Sequence, residues 1–439
     1  MTMIHTLRAL ALLFLPLLAA EPLRAGGALP LGGFDPLVEK HLARTLEDRR
    51  WFHAHPELAL REHESRKRIV EALSRIPGME IVDGEWGTGV VAVLRSGNGG
   101  PLVAWRADMD GLPIEEKTGL SYASTKTDTL GGVETALSHA CGHDIHMSVA
   151  LGAARVLSEI RRDLAGDVLW IFQPAEETGE GSERMLAAGL FDDGRMPKSV
   201  LALHDHPTLF TGQVGSCPGW ASANVDVFRL TVKGKGGHGA YPHRTIDPVA
   251  LAAKMVLAFN DVVAREIDVN RQAVISVGSI QGGTKSSVIP DEVVLKATVR
   301  TRDEETRMAV KEKIERTVSG LAVSAGAPEP TIEYFLGTPS GYNDPALTVR
   351  VRATVRELLG AEADVEYDPG MGGEDFSRYG QIVPGFQFRL GVAPEGVEDM
   401  ALHSSDFNPD EKAIPVGMRV VSAVLYRELI AQREMAGSH

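Results

Sequence analysis

The sequence predicts an α/β fold, a mixed, mostly parallel sheet flanked by helices, with a smaller α+β layer inserted into the same chain. Three observations carry that expectation. Unbroken apolar runs at 102–105, 168–172 and 200–203 each empty into polar residues, with helical segments between them, as buried parallel strands do. From about residue 220 to 336 the texture changes to a strand, helix, strand, strand, helix, strand series. The length of 439 residues exceeds one ordinary core, so two domains are expected.

Taken in order, Asp35-Pro36 supplies a helix N-cap and the residue after it, and Leu37, Val38, His41, Leu42 and Leu46 follow at helical spacing to about Phe52. His53-Ala54-His55-Pro56 breaks that helix, and a polar helix follows over about 62–74. Strands are expected at 90–94 and 102–105, the second running into Arg106-Ala107-Asp108-Met109-Asp110. Next comes His139-Ala140-Cys141-Gly142-His143-Asp144-Ile145-His146, at the mouth of an apolar, helix-like run over 147–160. The strand at 168–172 ends in Gln173-Pro174-Ala175-Glu176-Glu177, and the strand at 200–203 ends in His204-Asp205-His206-Pro207. Polar residues at the ends of buried strands stand where open α/β sheets build their sites.

The inserted layer begins with an alternating strand at 225–232 and a Gly-rich turn at 234–239. Asp247-Pro248 then opens a helix to about 264, strands follow at 273–280 and 293–301, and a helix covers 304–325, an order of ferredoxin-like type. Asp344-Pro345 opens a helix that returns the chain to the first domain, followed by an apolar strand at 386–390 and a last helix over about 413–435. The expected division is therefore 35–219 and 337–435 for the larger domain and 220–336 for the insert.

Composition excludes some classes of function. A formal charge of −14, with no basic stripe interleaved with aromatics, argues against a nucleic-acid partner. Residues 1–25 have a basic head at Arg8, an apolar run over 9–20 broken by Pro16, and small residues at Ala19, Ala20 and Ala25. That pattern reads as a cleavable export signal, too short for a stable membrane span, and places the protein in the periplasm or outside the cell. Cys141 and Cys217 are the two cysteines, and a disulfide between them would remove the thiolate that metal binding needs.

Cys141 and His143 put two soft donors at a helix start, where the amide dipoles favour a thiolate. Glu177 and His204 stand at the ends of expected strands, and His403 lies beyond the strand at 386–390. Sulfur, nitrogen and oxygen donors in that number exceed what one closed tetrahedral zinc takes, and they fit two divalent ions sharing a ligand. Zinc and manganese lead, and cobalt and nickel also suit mixed ligation.

Arg106-Ala107-Asp108-Met109-Asp110-Gly111-Leu112-Pro113, the His139–His146 run, Phe172-Gln173-Pro174-Ala175-Glu176-Glu177, Gly234-Lys235-Gly236-Gly237-His238 and Gly373-Glu374-Asp375-Phe376-Ser377 occur in this order. This set resembles the M20 metallopeptidase family, in the branch of aminoacylase-like amidohydrolases with hippurate and indole-acetyl-amino-acid hydrolases. The resemblance implies Cys141 as the ligand shared by two metals, with His143, Glu177, His204 and His403 as the others. It implies Glu176 as general acid/base and Asp108 as the carboxylate that orients a ligand. His238 matches a histidine that reaches the partner's site in dimers built through the inserted domain, which also acts as a lid. Arg300 matches a position that holds the substrate carboxylate. Ser287 departs from the pattern, standing before Val288-Ile289-Pro290 where the family usually has Asn, so the substrate contact there rests on a shorter hydroxyl.

The expected activity is hydrolysis of the amide of an N-acyl amino acid or dipeptide-like small molecule. Glu176 would take a proton from the attacking water and return it to the departing amine. One rival is a catalytically silent metal- or ligand-binding protein of the same fold. Another makes Cys141 the nucleophile of a thiol hydrolase with His143 as its base, two residues apart on a tight turn. Gly372-Gly373-Glu374-Asp375-Phe376 is read as a close backbone approach without chemistry, and His139, His146 and His206 as supporting groups rather than ligands.

Overall fold

The computed structural model describes residues 29–397 and 399–437, so the export signal expected over residues 1–25 lies outside the described residues. Helix α1 (Asp35–His53) grows directly out of a 3-10 turn, Leu31–Phe34, so Asp35 is its first residue and Phe34, not Asp35, occupies the cap position. Helix α2 (His63–Leu73) and strands β1 (Met79–Ile81), β2 (Val90–Leu94) and β3 (Leu102–Asp108) follow. Then come helix α3 (His143–Glu159) and strands β4 (Asp167–Gln173), β5 (Val200–Phe210) and β6 (Val214–Ser216). The next unit contains β7 (Asn224–Lys233), α4 (Pro248–Asp261), β8 (Ala273–Gln281), β9 (Glu292–Thr301), α5 (Glu304–Ala325) and β10 (Thr331–Phe335). The chain closes with α6 (Pro345–Leu359), β11 (Asp364–Glu366), β12 (Gly385–Ala393) and α7 (Ala413–Gly437).

Eight strands form the main sheet in the order β1-β2-β4-β3-β5-β12-β6-β11. Neighbours in the run β4-β3-β5-β12 are parallel, while β2 pairs antiparallel with β1 and with β4, and β6 pairs antiparallel with β12. The fold class is thus the expected one, a mixed α/β sheet with a parallel centre. The apolar runs are unbroken because both faces are buried. Val168, Trp170 and Phe172 of β4 enter the core shared with α1, α3 and α7, whereas Leu169 and Ile171 enter a second core with Met185, Leu190 and Phe191. Helix α3 is buried everywhere except Arg155 and Glu159, and it packs chiefly against α1 and α7.

Two strands run further than their apolar residues suggest. Strand β3 continues through Arg106-Ala107-Asp108, and β5 continues through His204-Asp205-His206-Pro207 to Phe210. In β5 the parallel ladder with β12 holds from Val200 to His206, and a register shift then lets Phe210 pair with Ala393. The imidazoles of His204 and His206 therefore hang from paired backbone and not from a loop.

The second unit is a four-stranded sheet in the order β8-β9-β7-β10 with every pair antiparallel. One face packs on α4 and α5 through Phe228, Leu230, Leu251, Phe259, Leu295 and Val310. Outside that core, Val227, Val274 and Phe335 are exposed. Asp247 and Asp303 cap α4 and α5 by accepting amide hydrogen bonds in the first turn. Helix α4 ends at Asp261 and passes into a π turn, Val262–Glu266.

Candidate metal centre

The carboxyl ends of β3, β4 and β5 and the first turn of α3 meet at one edge of the main sheet. Cys141 precedes α3, and Gly142 caps it with φ +82°; a Cβ there would lie 2.0 Å from Asp205 Oδ2. A glycine is required on both counts, since it alone adopts the left-handed region freely and leaves room for the Asp205 carboxylate. His143 opens the helix, and its Nδ1 lies 2.9 Å from the Asp110 carbonyl oxygen. That oxygen can only accept, so Nδ1 carries the proton and the Nε2 lone pair points into the site. His204 is set in the same way, with Nδ1 2.9 Å from the Asp205 carbonyl oxygen.

Glu176 and Glu177 are presented by a tight turn after β4. Their amide groups donate to the two oxygens of Asp110, at 3.1 and 3.0 Å. Ala175 takes a left-handed backbone, φ 54°, and donates its amide to Glu62 at 2.9 Å. His403 arrives on the loop before α7, also left-handed at φ 60°, and its amide donates to the Ala140 carbonyl at 2.8 Å. Two non-glycine residues held in that region at one site are strain that the surrounding hydrogen bonds must hold in place.

The expected donors converge. Cys141 Sγ lies 3.5 Å from His204 Nε2 and 3.3 Å from His403 Nε2. Glu177 Oε1 lies 3.5 Å from His403 Nε2 and 3.9 Å from His143 Nε2, and Glu176 Oε2 is 4.0 Å from His143 Nε2. The residues fit divalent cations, because His143 Nε2 and Glu177 Oε1 are buried without any hydrogen-bond partner. Electrostatics agree. Burial and then the Glu177 carboxylate push the Cys141 thiol well up, and burial followed by Glu374 and Glu177 holds the Glu176 carboxyl well above its usual range. Burial likewise raises Glu177. Desolvation opposes a bare thiolate at Cys141, and a bound cation would supply the compensation.

Asp108 sits one layer further in. Its Oδ1 is 2.5 Å from His146 Nδ1 and its Oδ2 is 2.5 Å from Arg106 Nη1, while His143 Nε2 stands 3.7 Å away. Asp108 therefore grips His146 and Arg106 directly. Arg106 is fully buried and also meets Glu374 at 3.1 Å, Asp375 at 2.9 Å and Gln173 at 3.0 Å. Gly372–Phe376 is more than the close backbone approach expected of it, because its two carboxylates, Glu374 and Asp375, anchor this guanidinium behind Glu176. The acidic pair before an aromatic was the available signal. His139 is buried with both ring nitrogens unpartnered, and burial lowers it to about 4, so it is neutral.

A cavity of about 760 Å³ opens over the donors, lined by Cys141, Glu176, His204 and Arg389 from the main sheet and by Val225 and Arg300 from the smaller one. Gly373 leaves room for Val225 of the smaller sheet, because a Cβ there would lie 2.4 Å from Val225 Cγ2, with Arg300 Nη1 at an ordinary contact distance of 3.7 Å. His238 and Ser287 do not line this cavity. Gly237–His238 forms a two-residue ladder with Val288–Ile289, and both His238 and Ser287 are exposed on the smaller unit. Cys141 and Cys217 are both free and buried, so the disulfide alternative is not realised; Cys217 Sγ faces the Trp220 carbonyl at 3.6 Å.

Residues 104–427 match the model of peptidase family M20/M25/M40. The N-acetylcysteine deacetylase of Bacillus subtilis is 36% identical over 390 residues, covering 88% of this chain and 98% of the relative. Thermostable carboxypeptidase 1 of Saccharolobus solfataricus is 35% identical over 395 residues, covering 87% and 96%. The crystal structure of a dinuclear metal-binding M20 peptidase from Bacillus subtilis superimposes with a TM-score of 0.77 at 32% identity, covering 89% of this chain and 99% of that one.

Proposed function

The chain belongs to peptidase family M20/M25/M40 and is a hydrolase of amide bonds, and from that premise we propose a two-metal amidohydrolase that cleaves N-acyl amino acids or dipeptide-like small molecules. Cys141 would serve as the shared ligand, and His143, Glu177, His204 and His403 would complete the set. Two divalent ions, zinc or manganese before cobalt or nickel, supply an activated water and a polarised carbonyl when bound. The observation that carries the reading is Glu177 Oε1, buried and unpartnered between His143 and His403, with Glu176 beside it.

Glu176 is free to move protons because Glu177 is committed to ligation. Its carboxyl accepts the proton of the attacking water and delivers it to the amine nitrogen, which cannot depart as an amide anion. Burial beside Glu374 raises its affinity for that proton between the two transfers. Asp108, through His146 and Arg106, keeps the floor of the site in register. Arg300 binds the substrate carboxylate from the small-unit wall of the cavity.

His238 works in a homodimer, reaching the partner's cavity to stabilise the oxyanion, with Ser287 beside it on the same arm. Its exposure on the small unit, outside its own chain's cavity, supports a role in trans. The exposed Val227, Val274 and Phe335 of the smaller sheet and its open edge strand β8 support pairing there. The pattern of residues 1–25 supports export to the periplasm or beyond.

Replacing Glu176 with Gln tests the assignment. The variant is expected to retain its metal while kcat falls by at least about 10²–10⁴. Turnover near the parental rate, measured on N-acetyl amino acids, rules Glu176 out as the base.

A further inference from the structure

Arg389 enters the cavity from β12, on the ladder where it pairs with His204 of β5 and Gly215 of β6. A Cβ on Gly215 would lie 3.1 Å from Arg389 Cβ, so the stem is held tightly against the neighbouring strand. Its guanidinium carbon stands 5.9 Å from the centroid of the Tyr367 ring, and the Tyr367 hydroxyl is buried without a hydrogen-bond partner. Among the described residues Arg389 forms no ion pair within 4.0 Å; Tyr367 is its side-chain neighbour, and Asp368 and Glu374 line the same cavity. Glu374 is committed to Arg106 and Gln387.

A partly buried arginine normally has a carboxylate. Here the cavity holds two without one, Arg300 on the smaller sheet and Arg389 on the main sheet, and the donor cluster lines the space they share. One guanidinium suffices for the carboxylate of a simple N-acyl amino acid, which leaves the other with no anion to bind.

We propose that Arg389 is a specificity-determining residue that binds a second carboxylate, so that the preferred substrate is an N-acyl amino acid with two anionic groups. This rests on the amidohydrolase reading for the scissile bond, but the binding claim stands on the cavity itself. The second carboxylate belongs either to the amino-acid side chain or to the acyl group, and both offer the guanidinium the same planar, bidentate partner.

The test is calorimetric binding to the metal-loaded Glu176→Gln protein, with and without Arg389→Met, of N-acetyl-L-leucine, N-acetyl-L-glutamate and N-succinyl-L-leucine. One of the two diacids is expected to bind about tenfold or more tighter than the monoacid, and Arg389→Met should bring that ratio close to one. Arg389→Lys should restore part of it. The diacid that wins identifies which side of the amide carries the second charge. Equal affinity for all three ligands, or an equal loss for all three in Arg389→Met, overturns the proposal. Selective diacid binding by a parental chain that hydrolyses none of the three supports the Arg389 site and refutes the amidohydrolase reading instead.

Discussion

Gly142 carries more of the site than its size suggests. Its positive φ turns the chain from Cys141 into α3, and the absence of a Cβ admits Asp205. Gly142→Ala is expected to cost at least about 1–2 kcal/mol from backbone conformation alone. Because the turn sets Cys141 against His204 and His403, metal content should fall with it, as elemental analysis of the purified variant will show. At this scale the sequence was most informative about donors. Cys141, His143, Glu177, His204 and His403 were legible from residue type and position, and they converge. What held them was less legible. Asp110 grips the amides of Glu176 and Glu177, and Glu374 and Asp375 hold Arg106, through bonds between residues tens to hundreds apart that no local pattern encodes.

Helices α1 and α3 are joined at the element scale by a buried polar contact. Asp144, in the first turn of α3, lies 3.1 Å from Arg49 and 2.8 Å from His53, both on α1. Burial opposes ionisation of Asp144, yet Arg49 and then His53 overcome it and hold the carboxyl well below its usual range. A depressed carboxylate contributes stability above its unfolded pKa of about 3.9, and that contribution is lost as pH falls through the folded value. Asp144→Asn is therefore expected to lower stability near neutral pH by about 3 kcal/mol, the low end for a broken buried pair, because Glu411 stays 3.3 Å from Arg49. Urea unfolding of the metal-free protein should also show a shallower loss of stability between about pH 5 and pH 3 in the variant. An unchanged acid limb would show that this contact does not couple the helices. Element boundaries failed where polarity misled. Strand β5 looks finished at Leu203 because the next residues are polar, but the ladder with β12 continues beneath them. The hairpin Thr127–Leu130 with Val133–Ala136 leaves no signal in the sequence because its strands are largely exposed and lack the apolar alternation of a half-buried strand.

The whole molecule poses the question of assembly, because His238 and Ser287 stand away from the cavity of their own chain. If His238 acts across a dimer, the inactive variants Glu176→Gln and His238→Ala should complement each other when mixed and allowed to exchange. Half of the dimers would then be mixed, each with one complete site, returning about a quarter of parental activity. No recovery after demonstrated subunit exchange would confine His238 to a structural role. The overall architecture was readable from the sequence because continuous apolar strands, capped helices and a change of texture each reflect local burial. Arrangement between chains leaves no such periodic trace.

The central claim is that amide hydrolysis depends on divalent ions held by Cys141, His143, Glu177, His204 and His403. The most direct measurement is turnover of an N-acetyl amino acid by the purified protein before chelation, after chelator removal, and after adding zinc or manganese back. The account predicts loss of turnover on stripping and its return with about two ions per chain. Undiminished turnover by a chain shown to be free of metal would contradict it.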